Sequence, residues 1–243
     1  MLDGSSPARS GPVPGRTTVH EYADFDDFVA RTRSATLARA VMYCGRRPDA
    51  EDAVQEAYLA AYLHWSELRE PRAWVETTVR RRFAREAGRW WSRWRRTELE
   101  VPVSATSTPD EEAAAVAVLR SVGLLPPRQR QVLIMICLEG LTYRQVADEV
   151  GISVGAVGAN LAKARERLAV LLGLAAEPHR AGDPLVAGVL TRSGPEGMSG
   201  YGEDALAAAL RRTERWLARG FDADRASAQR LRAALDRQRD EHR

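Results

Sequence analysis

The sequence predicts an all-α protein: two small helical domains on a flexible connection, followed by a helical C-terminal extension. Three features point to it. Apolar residues recur at helical spacing, and no useful stretch shows the period-two alternation of a half-buried strand. Glycine, proline and serine concentrate in a few segments that divide the helices into groups. The second of these breaks, 176–202, holds six glycines and three prolines.

Residues 1–20 are rich in Gly, Pro, Ser and Arg without periodicity, and are expected to be a disordered tail. From Glu21 the pattern turns helical, with Phe25, Phe28, Val29, Leu37, Val41 and Met42 near one stripe. Gly45 and Pro48 interrupt it. A second helix is expected near Asp49, whose side chain can cap the first turn, with Ala53, Val54, Ala57, Tyr58, Ala61 and Tyr62 on its apolar face. Pro71 marks another break, and a third helix is expected from Ala73 to about Trp94. Residues 21–96 thus form one domain and the polar, proline-punctuated 97–112 a linker. The second domain, 113–175, should hold helices over Ala113–Leu125, Pro127–Glu139, Tyr143–Val150 and Val154–Leu172, with Pro127 in the tolerated first position and Gly140 as a stop. In the extension, 176–243, helices are expected over Glu203–Arg219 and Asp224–Arg239. Leu206, Leu210, Thr213 and Leu217 make a seam beside Trp216, and Leu231 and Leu235 offer a partner face.

Composition narrows the function classes. The chain has 243 residues, 44% of them hydrophobic, and a net charge of +3. No apolar run approaches the ~18 residues a membrane helix needs, and no basic-then-apolar secretory pattern opens the chain. A cytoplasmic protein without membrane insertion is expected, with Cys44 and Cys137 as buried reduced thiols. The four histidines are scattered and form no metal pattern, so neither metal nor cofactor is expected. Glu51, Asp52 and Glu56 share one helical face without a convergent partner, so no catalytic residue is assigned and an enzyme such as a nuclease fits poorly.

Charge distribution says more than the total. Eight arginines lie between Val79 and Arg96 against one acid, Glu86, which suggests a polyanionic partner. Five of the six tryptophans fall between Trp65 and Trp94. Trp74 and Phe83 take core positions, but Trp90, Trp91 and Trp94 cannot all face one stripe. Rings interleaved with guanidiniums suit opened nucleic acid, where each stacked base is worth ~1–3 kcal/mol.

The sharpest constellation is Thr142–Arg167. A helix-turn-helix needs a small residue on the first helix, a residue tolerant of positive φ at the turn, and an apolar anchor on the second helix. Ala147, Gly151 and Val157 meet those needs at the right offsets, and Ile152 adds a core contact. Thr142 with Gln145 forms a capping box and Ser153 caps the second helix. The second helix would then enter the major groove. Thr142, Tyr143, Arg144, Ser153, Val154, Gly155, Ala156, Asn160, Lys163 and Arg165 are the expected DNA-contacting residues. Asn160 is the one good bidentate reader; Arg144, Lys163 and Arg165 suit phosphates. So sparse a surface predicts modest affinity, with shape contributing to readout.

Asp49-Ala-Glu-Asp-Ala-Val-Gln-Glu-Ala-Tyr is, by itself, a helix start with acids placed favourably for the macrodipole, or equally an exposed docking edge. It resembles the polymerase-binding helix of the sigma-two domain in extracytoplasmic-function sigma factors of the sigma-70 family. Pro71-Arg-Ala-Trp-Val-Glu-Thr-Thr-Val-Arg-Arg resembles that domain's promoter-melting segment. Leu125-Pro-Pro-Arg-Gln-Arg-Gln-Val-Leu, Gly140-Leu-Thr-Tyr-Arg-Gln-Val-Ala and Val157–Leu168 resemble the sigma-four domain. The likeness covers about residues 22–173, in the family's order.

The resemblance implies a sigma-two domain at 21–96 and a sigma-four domain at 113–175. Asp49, Glu51, Asp52, Gln55 and Glu56 would dock on the β′ clamp helices of core RNA polymerase, whose β flap is a second contact. Arg69, Arg72, Trp74, Arg80, Arg81, Arg85, Arg89, Trp90 and Trp91 would capture and open the minus-ten element, and the helix-turn-helix would read the minus-35 element of promoter DNA. An anti-sigma factor would be a further partner. Two departures stand out: Val157-Gly-Ala-Asn160 replaces a more basic run, and Arg82 and Phe83 stand where the family often has asparagine. The extension lies outside the minimal family. The alternative is a helix-turn-helix regulator that is not a polymerase subunit, which leaves the acidic and arginine-tryptophan helices unexplained.

Overall fold

The computed structural model describes residues 21–85, 107–172 and 205–241, and all three stretches are helical. Among the described residues nine helices follow one another: α1 (Phe25–Cys44), α2 (Arg47–Leu63), α3 (Pro71–Arg85), α4 (Pro109–Gly123), α5 (Pro127–Cys137), α6 (Tyr143–Val150), α7 (Val154–Leu171), α8 (Ala205–Ala223) and α9 (Arg225–Glu241).

Local chemistry explains most ends. Asp24 caps α1, accepting from the Asp27 N–H, and Gly45 ends it in the left-handed conformation. The second helix starts at Arg47, two residues before the expected Asp49, because Pro48 is tolerated in a first turn whose amides need no partner. Asp49 sits inside that turn and pairs with Arg46 at 2.8 Å. The α4 helix starts at Pro109, inside the expected linker. Thr108 caps it and Asp110, Glu111 and Glu112 populate its first turn, where the macrodipole favours acids. In the extension, Asp224 breaks the chain between α8 and α9, accepting from the Ala226 and Ser227 N–H groups. The third helix is described to Arg85; its expected continuation to Trp94 lies outside the described residues, as do 1–20 and most of 97–112.

Helices α1, α2 and α3 pack as one bundle around Phe28, Leu37, Met42, Tyr58, Val75 and Phe83. Phe83 stacks on Tyr43 with centroids 5.9 Å apart, and Trp74 is half-buried against the same core, so both occupy the core positions expected of them. Helices α4 to α7 surround Leu119, Leu133, Met135, Leu161 and Leu168. The extension returns to both: α8 lies along α1 and also packs on α4 and α5, while α9 lies on α2. The expected seam of Leu206, Leu210, Thr213, Trp216 and Leu217 is buried, so the apolar residues of all three parts form one cluster.

Candidate nucleic-acid and docking surfaces

The helix-turn-helix is built almost entirely by local bonds. Thr142 Oγ1 accepts from the Gln145 N–H at 3.2 Å, and Gln145 Oε1 accepts from the Thr142 N–H at 2.8 Å. Gly151 ends α6 at φ 70°, a left-handed conformation that favours glycine. Its N–H and that of Ile152 both donate to the Ala147 carbonyl. Ser153 Oγ then accepts from the Ala156 N–H at 3.1 Å, starting α7. Val157, Leu161, Ala164 and Leu168 bury one face of α7.

The opposite face is open. Val154, Gly155, Ala159 and Lys163 are exposed, as is Arg144 on α6. Tyr143 is half-buried beside Gly158, where a Cβ would lie 3.6 Å from the ring. Asn160 donates from Nδ2 to the Ala156 carbonyl at 2.8 Å, so it must change rotamer to pair with a base. Ala156 and Arg165 are half-buried.

The basic surface is split. Arg69, Arg72, Arg81 and Arg85 are exposed. Arg80 is not: it is buried against Glu139, with Glu149 at 3.7 Å and Thr77 Oγ1 at 3.0 Å. In this arrangement it joins the two domains rather than facing DNA. Arg81 also reaches Glu149, at 3.3 Å. Burial pushes the Glu139 carboxyl above its ordinary range, and the positive charges of Arg80 and Arg39 only partly offset that. Tyr43 donates its hydroxyl proton to the same carboxylate at 2.9 Å. Arg89, Trp90 and Trp91 lie outside the described residues.

The acidic edge of α2 is largely occupied. Glu51 accepts from Arg47 at 2.8 Å and from Arg230 of α9 at 2.7 Å. Burial alone would raise its pKa, but those hydrogen bonds outweigh it and hold the carboxyl below its ordinary range. Glu56 pairs with Arg82. Asp52 is exposed and Gln55 half-buried; both line a cleft between α2 and α9 that Ser227, Arg230 and Leu231 complete.

Two residues missed by the sequence reading organise these surfaces. Arg39 joins Glu76 and Glu214, each at 2.7 Å. Arg33 donates to the Phe221 carbonyl at 3.0 Å and to Ser227 Oγ at 3.2 Å. Arginines within a helix that is buried on most of its sides are the signal that could have found them. Among the described residues, no group of His, Cys, Asp and Glu could hold a metal ion, and no helix is long and apolar enough to cross a membrane.

A capped helix-turn-helix with an open second helix defines a DNA-binding protein. The comparisons narrow this. The family model "Sigma-70 region 2" matches residues 28–96, and "Sigma-70, region 4" matches 115–168. The RNA polymerase sigma-E factor of Streptomyces coelicolor is 29% identical over 153 residues, 61% of this chain and 85% of that protein. The ECF RNA polymerase sigma factor SigF of Caulobacter vibrioides is 29% identical over 136 residues, 51% of this chain and 72% of that protein. A solved complex of the sigma factor RpoE with the anti-sigma factor NepR from Bartonella quintana aligns at 23% identity and a TM-score of 0.48, covering 63% of this chain and 99% of that one. The chain belongs to the sigma-70 family, in its extracytoplasmic-function group, and is a sigma factor that directs transcription initiation.

Proposed function

We propose that this sigma factor acts in the cytoplasm, without enzymatic activity of its own, as the promoter-reading subunit of RNA polymerase. Asp49, Glu51, Asp52, Gln55 and Glu56 on α2 dock on the β′ clamp helices, and the second domain meets the β flap. The exposed arginines at 69, 72, 81 and 85, with Trp74 and the following Arg89, Trp90 and Trp91, take the minus-ten element and hold it open by stacking and phosphate contact. Arg80 joins them once its pairing with Glu139 is released. Helix α7 enters the major groove at the minus-35 element through Val154, Gly155, Ala156 and Asn160. Thr142, Tyr143, Arg144, Ser153, Lys163 and Arg165 position it on the backbone.

The observation that carries this reading is the conjunction of two sigma-family regions in one chain, the first bearing an acidic helix and a basic helix, the second an open helix-turn-helix. A regulator working without polymerase would need only the last. The test is run-off transcription with purified core polymerase and a genomic promoter library. Specific transcripts are expected, and Asp52→Arg with Glu56→Arg should abolish them while the fold survives. Core polymerase that starts at no specific site with this protein present would overturn the proposal.

A further inference from the structure

We infer that the α8–α9 hairpin is an inhibitor in cis: it holds the two DNA-reading domains closed on each other and occupies the α2 edge that polymerase needs. This rests on the assignment of α2 as the docking helix, and the experiment below separates the two.

Three sets of contacts support it. First, α8 bridges the domains. Its Leu210, Leu217 and Phe221 are fully buried. Glu214 binds Arg39 of α1 at 2.7 Å, and Arg219 meets Glu111 of α4 at 3.5 Å. Second, the last turn of α8 and the Asp224 that follows it are gripped by α1 and α2. Arg33 donates to the Phe221 carbonyl near the end of the helix, which also accepts from the Asp224 N–H. Ser34 bonds Asp222, and Arg47 bonds Asp224. Third, α9 covers α2. Arg230 binds Glu51 at 2.7 Å, and Arg239 binds Asp26 at 2.7 Å while lying over the Tyr62 ring. An acid engaged by Arg230 and roofed by α9 cannot also be engaged by a polymerase helix.

Geometry adds an independent argument. The minus-35 and minus-ten elements lie roughly 25 base pairs apart by name, or about 85 Å of B-DNA at ~3.4 Å per pair. Here Arg80 and Arg81 of α3 touch Glu139 and Glu149, and Glu149 is on the first helix of the helix-turn-helix. Surfaces in direct contact cannot lie on two elements that far apart, so the closed molecule must open before it reads a promoter. The two helices differ in how they hold. Helix α8 buries the larger apolar face, with Leu206, Leu210, Trp216, Leu217 and Phe221, whereas α9 buries only Leu231, Ala234 and Leu235 and adds ion pairs at a half-exposed rim, which are individually weak and screened by salt. Helix α9 is therefore the part that yields first, uncovering Glu51, and separation of the domains along α8 follows.

The test uses the full chain carrying Arg230→Glu and Arg239→Glu, which places like charges against Glu51 and Asp26. Hydrogen exchange over 225–241 should rise. Affinity for core polymerase should increase by about tenfold or more, as expected when the competent fraction rises from a few per cent or less, and run-off transcript yield should rise with it. If exchange shows α9 released while affinity is unchanged or weaker, the inference falls. Leu231→Asp is the second variant, because it breaks the apolar side of the same contact. Should neither variant release α9, the contact is too strong to be a latch, and the inference falls equally. Asp52→Arg added to the released protein separates the two ideas. Loss of core binding keeps the docking assignment whatever the hairpin does; unchanged binding refutes the assignment itself.

Discussion

The two surfaces proposed for binding, the acidic edge of α2 and the recognition face of α7, stand in opposite states. The face of α7 is open, with Val154, Gly155, Ala159 and Lys163 exposed. The edge of α2 is partly covered: Glu51 is shared between Arg47 and Arg230 of α9, while Asp52 and Glu56 stay exposed. The open face is also the chemically poor one, since its only amide reader is bonded to its own helix. If both assignments hold, the difference puts control of activity on the protein–protein side. On the proposed assignment, a weak reader needs the machine it docks to, and the extension reaches the proposed docking edge at Glu51.

Arg80→Ala should give the largest effect on this balance. It strips the main cation from Glu139, whose side chain is only 2% exposed. With only Arg39 and the Tyr43 hydroxyl left to offset its burial, that carboxylate should cost on the order of 3 kcal/mol, which urea unfolding of the whole chain will register. The pH dependence has a definite sign. A carboxyl raised above its ordinary 4.5 adds stability below that pH and loses it as pH rises through its folded value. The cost of Arg80→Ala should therefore shrink on acidification.

Acid should act oppositely on the α2–α9 contact. Burial raises both the Glu51 and Asp224 carboxyls, but hydrogen bonds hold each below its ordinary value: from Arg47 and Arg230 for Glu51, from the Ser227 N–H and Arg47 for Asp224. Their contribution is complete above the ordinary carboxylate range and is lost as pH falls through the depressed values. Between about pH 5 and pH 3, exchange in α9, corrected for its intrinsic pH dependence, should rise before exchange in the α7 core does. Simultaneous loss in both would erase the distinction between a latched edge and an independent recognition helix.

Smaller effects belong to the open side. Ser153→Ala removes the cap of α7 and should cost ~1 kcal/mol, visible as faster exchange in α7 with none in α9. Gly158→Ala should stabilise by up to ~1 kcal/mol, since alanine is the better helix former and the added methyl meets the Tyr143 ring at an ordinary 3.6 Å. A thermal shift in the other direction would show that Tyr143 cannot accommodate it.

These variants also mark where the sequence was informative. Ser153, Thr142, Gln145 and Gly151 act within four residues of their partners, so spacing alone revealed the turn, the caps and the all-α fold. The α8 seam was equally visible, because Leu210, Thr213 and Leu217 share one face of one helix. What stayed hidden depends on distant pairs. Arg80 belongs by composition to the basic cluster, and only a partner 59 residues away turns it inward. Glu51 looked like a free docking acid until Arg230, 179 residues later, was folded onto it. Nor could periodicity say which helix would receive the Trp216 seam, since α1 shows its receptive stripe as an ordinary core face. Helix starts at Arg47 and Pro109 were missed by a few residues because proline is both a breaker and a good first-turn residue.

Hydrogen exchange of the full-length wild-type chain, with and without core polymerase, tests the central claim most directly. If polymerase and α9 compete for one edge, adding core should speed exchange over 225–241 while slowing it over 47–63. Protection of both segments together would mean that the hairpin is part of the docking surface, and would contradict a sigma factor held closed by its own C-terminus.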